Sequence, residues 1–296
     1  MPSDGLFNVL IVLTRAIVHF GSKSRDELLK VCGANLGLVD PKQLNQTLIR
    51  WTELGFFSSN EDGLVAIREP YRGRLAKSAD DSETRLPKII REIALAPQNN
   101  ERYWESEENK SADLSRGLSW ILAQDVYRTD TGSHGKIASL EDAQVADVSR
   151  RIFQNDTRWN GLRTWMTYLG FARGGAQVTI DPTEALRDEL PDIFGSVETL
   201  PAPIFIKQAA NRLPVLDAGA YRLPLEAVLN PQSWVPPPDG HVSTSLSRAI
   251  QRLDYEGVIA AELKSDPEGG ITLIGAEGRT WRTVTHVRRL PTRKGK

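Results

Sequence analysis

At four places in the chain, apolar residues recur at helical spacing, stop at a turn residue, and resume as a short apolar run. The first is Leu44, Leu48 and Trp51 before Gly55 and Phe56, and the second is Leu114, Leu118 and Ile121 before Asp125 and Val126. The third is Trp159, Leu162 and Met166 before Gly170 and Phe171; the fourth is Leu246, Ile250 and Leu253 before Gly257 and Val258. Counted back from the turn residue, positions minus eleven and minus four are apolar in every copy. Position minus seven is apolar in three, and in the third copy it is Arg163 with Leu162 beside it. Such offsets keep side chains on one stripe of a helix. Glycine suits the end of that helix, because a left-handed backbone costs it little.

After the turn, each copy continues as apolar run, polar or glycine-bearing tip, and second apolar run, which predicts a β-hairpin, and three copies show both runs plainly. These runs are Phe56-Phe57 with Leu64 to Ile67, Phe171-Ala172 with Val178 to Ile180, and Val258 to Leu263 with Ile271 to Leu273. Ahead of the first copy, the apolar stretch Leu6 to Phe20 predicts a helix. Ser24 with Glu27 forms a capping box that opens a second helix. Asp40-Pro41 opens a third, with proline at the first helical position. Three helices and a hairpin make the winged form of helix-turn-helix. The predicted class is therefore mainly α with short β-hairpins, as tandem winged-helix domains. Four units of unequal length are expected over 1–76, 82–140, 141–195 and 200–290, with a basic tail at 291–296. The turn residues at 55, 125, 170 and 257 are too irregular for a solenoid. Gln98 to Ala112 is charged and poor in apolar residues, and reads as a mobile insertion in the second unit.

A chain of 296 residues accommodates two to four small domains. With a formal net charge of -1, no global attraction to nucleic acid exists, so any DNA contact must come from a local patch. The single cysteine, Cys32, rules out an internal disulfide and predicts a small buried hydrophobe in a reducing compartment. Leu6 to Phe20 lacks the basic region and cleavage site of a signal peptide and is shorter than a membrane span, so a cytoplasmic protein without membrane association is expected. The four histidines, His19, His134, His241 and His286, are far apart in no metal-ligand spacing, and no cysteine pair is present for zinc. No phosphate loop or nucleophile elbow occurs. The expectation is a non-enzymatic protein with no cofactor, no metal and no small-molecule ligand.

If these units read DNA, the helix before each hairpin should present polar and basic side chains to the major groove. The first unit offers Lys42, Gln46 and Arg50, the third Arg158 and Arg163, and the fourth Arg248 and Arg252, with Ser243, Thr244, Ser247 and Gln251 nearby. From Arg279 to Lys296 the chain carries Arg279, Arg282, Arg288, Arg289, Arg293, Lys294 and Lys296 and no acidic residue. Trp281 and Val284 interleave with them in a strand-like alternation that can meet phosphates. Compensating acids at Asp181, Glu184, Asp188, Glu189 and Asp192 suggest separate faces for nucleic acid and for a protein partner.

Four winged-helix-like units ending in Arg279-Thr-Trp-Arg-Thr-Val-Thr-His-Val-Arg-Arg-Leu290 resemble the DpdG proteins. These are the G component of gene clusters that insert 7-deazaguanine derivatives into DNA and restrict unmodified DNA. The resemblance implies an accessory subunit working beside helicases and nucleases in anti-phage defence, and it brings no catalytic residues with it. Double-stranded DNA and other protein subunits, such as a helicase or nuclease, are then the expected partners. Two other readings stay open: a protein-interaction scaffold bridging ATPase or nuclease subunits, and a transcriptional regulator.

Overall fold

Each predicted helix start in the N-terminal region is made by the residues that should make it. Helix α1 (Phe7–Phe20) is followed by strand β1 (Lys23–Ser24) and helix α2 (Arg25–Val31). The Ser24 hydroxyl accepts the Glu27 N–H, and the Glu27 carboxylate accepts the Ser24 N–H, which completes the capping box. Helix α3 (Pro41–Glu53) begins with Asp40, whose carboxylate accepts the Lys42 N–H at 2.9 Å. It ends at Gly55 (φ +95°), and β2 (Phe57–Ser59) and β3 (Leu64–Ile67) follow as an antiparallel pair, Phe57 opposite Ile67. β1 adds to the other edge of β3, so the sheet order is β1-β3-β2. Then come α4 (Tyr71–Arg74) and α5 (Ala79–Leu95).

The computed structural model describes residues 7–37, 39–75, 77–105, 110–175, 177–264 and 269–291. Helix accounts for 52% and strand for 12%, so helices build the core and the sheets are small trims on it. The chain forms two compact units, 1–114 with 160–169, and 115–159 with 170–296. Two helices cross the division: α6 (Ala112–Ala123) and α8 (Asp156–Tyr168).

In the first unit the buried stripe of α3, Leu44, Leu48 and Trp51, packs with α1, and α1 also packs on α5. Trp51 lies 5.7 Å from Trp165, and Phe7 stacks on Tyr168 at 4.6 Å. Arg91, 1% exposed, donates from Nη1 to the Leu169 carbonyl at 2.7 Å. The segment expected to be a mobile insertion is anchored at both ends. Asn99 donates to the Leu54 and Ile93 carbonyls, Asn100 to Ala94 and Ala96, and Ser111 to Ala94 and Asn99. Short amides and hydroxyls read as loop chemistry by composition, yet here they satisfy buried helix-end carbonyls. Residues 106–109 of that segment lie outside the described residues.

The second unit holds most of α6, then α7 (His134–Gln144), the start of α8, β4 (Ala172–Arg173), β5 (Thr179–Ile180) and α9 (Thr183–Phe194). β6 (Thr199–Pro201), α10 (Ala202–Arg212), α11 (Arg222–Glu226), α12 (Thr244–Tyr255), β7 (Ile259–Glu262), β8 (Ile271–Ile274), β9 (Thr280–Val284) and β10 (His286–Arg289) complete it. Two hairpin expectations need correction. After the second apolar copy, α6 stops at Ala123 and no strand follows. Instead, the Asp125 carboxylate accepts the Tyr127 N–H and its carbonyl the Arg128 and Thr129 N–H groups, a tight turn that replaces the glycine bend. After the fourth copy, β7 does not pair with β8. β10 lies between β6 and β7 (Val287 opposite Leu200 and Ala261), while β8 pairs with β9 across the turn Gly275 to Arg279. The β4–β5 pair forms as expected, Ala172 opposite Ile180.

Two experiments check this account. At Gly170 (φ +80°) an added Cβ would stand 2.8 Å from the Ala185 backbone nitrogen, which donates to the Gly170 carbonyl; at Gly257 (φ +69°) it would meet open space. Gly257→Ala should cost about 1–2 kcal/mol from backbone strain alone, and Gly170→Ala clearly more, because backbone must shift. Equal midpoints in urea would contradict the close approach. Cys32 is 7% exposed, and burial pushes its thiol up to about 11. At pH 8 its alkylation in the folded chain should be about 100-fold slower than in urea, from thiolate fraction alone. Equal rates would show an accessible thiol.

Candidate nucleic-acid interface

A helix can enter a groove only with the side chains that its own core leaves outside. On α3, Leu44, Thr47, Leu48 and Trp51 face inward, and the opposite face carries exposed Lys42, Gln43, Gln46 and Ile49. Lys42 and Gln46 are four residues apart, hence neighbours on one stripe. Arg50 is half-buried; it pairs with Glu53 at 3.5 Å and donates to the Lys110 carbonyl. The tip between β2 and β3 carries exposed Glu61 and Asp62, which would repel phosphates, so α3 rather than this tip is the basic element.

On α12 the same apolar spacing has a different outcome. Ser245, Leu246, Ser247, Ala249, Ile250 and Leu253 are all buried. The cap residue Ser243 is bound through both its N–H and hydroxyl to the Asp217 carboxylate. Ser245 donates to the Leu122 carbonyl at 2.7 Å, and the Ser247 oxygen accepts the Ile274 N–H at 2.8 Å. Arg248 donates to the Ile180 carbonyl and lies 4.6 Å over the Tyr127 ring. Arg252 pairs with Asp181, 2% exposed, and with Glu256 at 3.0 Å. The polar residues expected to face DNA on this helix are largely spent inside the protein.

The acidic run meets the same fate. Glu184 pairs with Arg187, which also reaches Glu256, and this pairing holds the Glu256 carboxyl below its ordinary value. Glu189 and Asp192 both pair with Arg212. An acidic face set apart from the arginines is therefore not what forms. Charges distant in sequence, Asp181 and Arg252 above all, neutralise one another once the chain folds.

The remaining expected contacts are scattered. Arg158 and Arg163 are half-buried on α8, on opposite sides of the division between units. Arg279 is exposed beside Glu277, Arg288 pairs with Glu262 at 2.8 Å, and Arg282 reaches Asp254 and the Ala261 carbonyl. Arg289 is exposed, and its backbone N–H donates to the Glu198 carbonyl. Arg293, Lys294 and Lys296 lie outside the described residues. Among the described residues no group of histidine, cysteine and carboxylate side chains is placed to hold a metal ion, and no helix is long and apolar enough to cross a membrane.

A family model described as DpdG-like matches residues 1–267. The match ends before β8, so Arg279 to Leu290 lies beyond it. Neither a curated protein nor a solved structure matches the chain.

The two helix faces should respond differently to mutation. Arg252→Ala leaves the buried Asp181 carboxylate without its guanidinium and should cost about 2–4 kcal/mol of stability in urea unfolding. Lys42→Ala removes an exposed side chain and should cost less than about 0.5 kcal/mol. Similar small losses would mean that Arg252 is not committed to the fold.

Proposed function

Since the chain belongs to the DpdG-like family, we propose that it is a non-catalytic DNA-binding accessory subunit of a DNA modification and restriction complex. We read α1, β1, α2, α3, β2 and β3 as a winged helix with α3 as its recognition helix. The order helix, strand, helix, helix, strand, strand supports that reading, as does the addition of β1 to the β2–β3 pair. One observation carries the functional claim. The solvent face of α3 presents Lys42, Gln43 and Gln46, residue types that bind phosphates and base edges, opposite a fully buried apolar stripe. The C-terminal strands β9 and β10, with Arg279 and Arg289 exposed, supply a second basic element. A family setting beside DNA-processing enzymes fits a subunit that holds duplex for a partner helicase or nuclease.

A scaffold role for the second unit is the competing reading. It is favoured by the commitment of Arg248 and Arg252 to internal partners, which leaves α12 little to offer a groove. On that reading the second unit engages another subunit while the first engages DNA.

The test is anisotropy of a labelled duplex over a range of salt concentrations. Lys42→Ala should lower the magnitude of the salt slope by about one phosphate contact. Lys42→Glu with Gln46→Glu should weaken binding at least about tenfold, with no change in fold. Unchanged affinity and slope would remove α3 from the DNA contact.

A further inference from the structure

Strand β9 breaks its register with β8 at one residue. Ile271, Thr272 and Leu273 oppose Val284, Thr283 and Arg282, but Ile274 opposes Thr280, so Trp281 is an extra residue in a β-bulge. Bulges re-aim side chains. Neighbours in a regular strand point to opposite faces, whereas here the Arg282 guanidinium carbon lies 5.3 Å from the Trp281 ring centroid. The pair is held in place from behind: Arg282 reaches the Asp254 carboxylate at 3.4 Å and the Ala261 carbonyl. Trp281 is 37% exposed, an unusual state for an indole in a chain whose other tryptophans, half-buried Trp104 apart, are buried. Next to Asp254, at the end of α12, Tyr255 is 92% exposed.

Along the last strands the sequence is basic. From 279 to 289 there are four arginines and no acid. Arg289 has no carboxylate partner among the described residues, and the Arg279–Glu277 pair is mostly solvated, so a phosphate can displace the carboxylate at little cost. An open aromatic face beside a fixed guanidinium, on a stretch of chain that also carries the exposed Arg279 and Arg289, matches what an unstacked base and its flanking phosphates need. Duplex DNA keeps its base faces stacked and offers nothing to the ring. We propose that the Trp281–Arg282 bulge is a stacking platform for single-stranded nucleic acid, distinct in substrate from the α3 face. The proposal rests on reading the C-terminal strands as a nucleic-acid contact, and not on the assignment of α3.

Labelled oligo(dT) of about 15 nucleotides and a duplex of equal length are titrated into the full chain, with anisotropy read alongside tryptophan fluorescence. The parent should bind oligo(dT) with quenching. Trp281→Ala should weaken that binding roughly tenfold and abolish the quench. Trp281→Phe should retain affinity within about threefold, because a phenyl ring still stacks. Duplex affinity should be unchanged in both variants, while Lys42→Glu should lower duplex binding and spare the oligo(dT) quench. Oligo(dT) binding of equal strength in parent and Trp281→Ala overturns the platform, as does a parent that binds duplex but not oligo(dT); either result leaves the duplex reading of α3 standing. Loss of a co-purifying subunit in Trp281→Ala with oligo(dT) binding intact would likewise overturn it, and reassign the surface to a protein.

Discussion

The buried carboxylate of Asp181 is the tie on which the second unit depends. A charge at 2% exposure is tolerated only when it is paired and hydrogen-bonded. Asp181 meets that demand with three separate parts of the chain. Its carboxylate accepts the N–H and hydroxyl of Thr183 at the start of α9, and it pairs with Arg252 on α12. Its backbone N–H donates to the Phe171 carbonyl, closing the β4–β5 pair. One acid therefore ties together a hairpin, a helix start and α12.

That commitment decides how the basic residues are divided. A guanidinium held by a buried carboxylate or a backbone carbonyl is part of the fold before any ligand arrives. Arg248 and Arg252 are used in this way, while Arg187 is drawn toward Glu184 and Glu256 and Arg288 toward Glu262. The near-neutral net charge is then a sum of local cancellations rather than of two opposed faces. Of the residues weighed as DNA contacts, those that stay available are few: the outer stripe of α3 in the first unit, and in the second the exposed arginines and the bulged tryptophan of the last strands.

The recurring stripe of apolar residues and its terminal bend were legible because both are local. Gly55, Gly170 and Gly257 all adopt the positive φ that the pattern requires, and the Ser24 box and Asp40 cap act on residues two or three positions away. The copy without glycine, at Asp125, is also the copy whose turn no strand follows. Strand pairing was less legible. The runs around 260 and 272 look like two arms of one hairpin, yet β7 takes β10 as its neighbour, since nothing in a short apolar run specifies its partner. The candidate site divides along the same line. Lys42 and Gln46 stand where helical spacing puts them, outside the stripe. Ser243 and Ser247, at equivalent-looking outward positions on α12, are buried by elements that arrive from far along the chain.

By itself the sequence determined that α1, α2, α3, α6, α8 and α12 are helical, where several of them start and bend, and which stripe of the last four faces inward, because these follow from contacts within a few residues. Tertiary structure alone decided which polar faces remain outside. Whether an arginine meets water or a carboxylate depends on what folds over it. Asp181 and Arg252 are 71 residues apart in the chain, a separation across which periodicity carries no information and only the packed fold brings charge to charge.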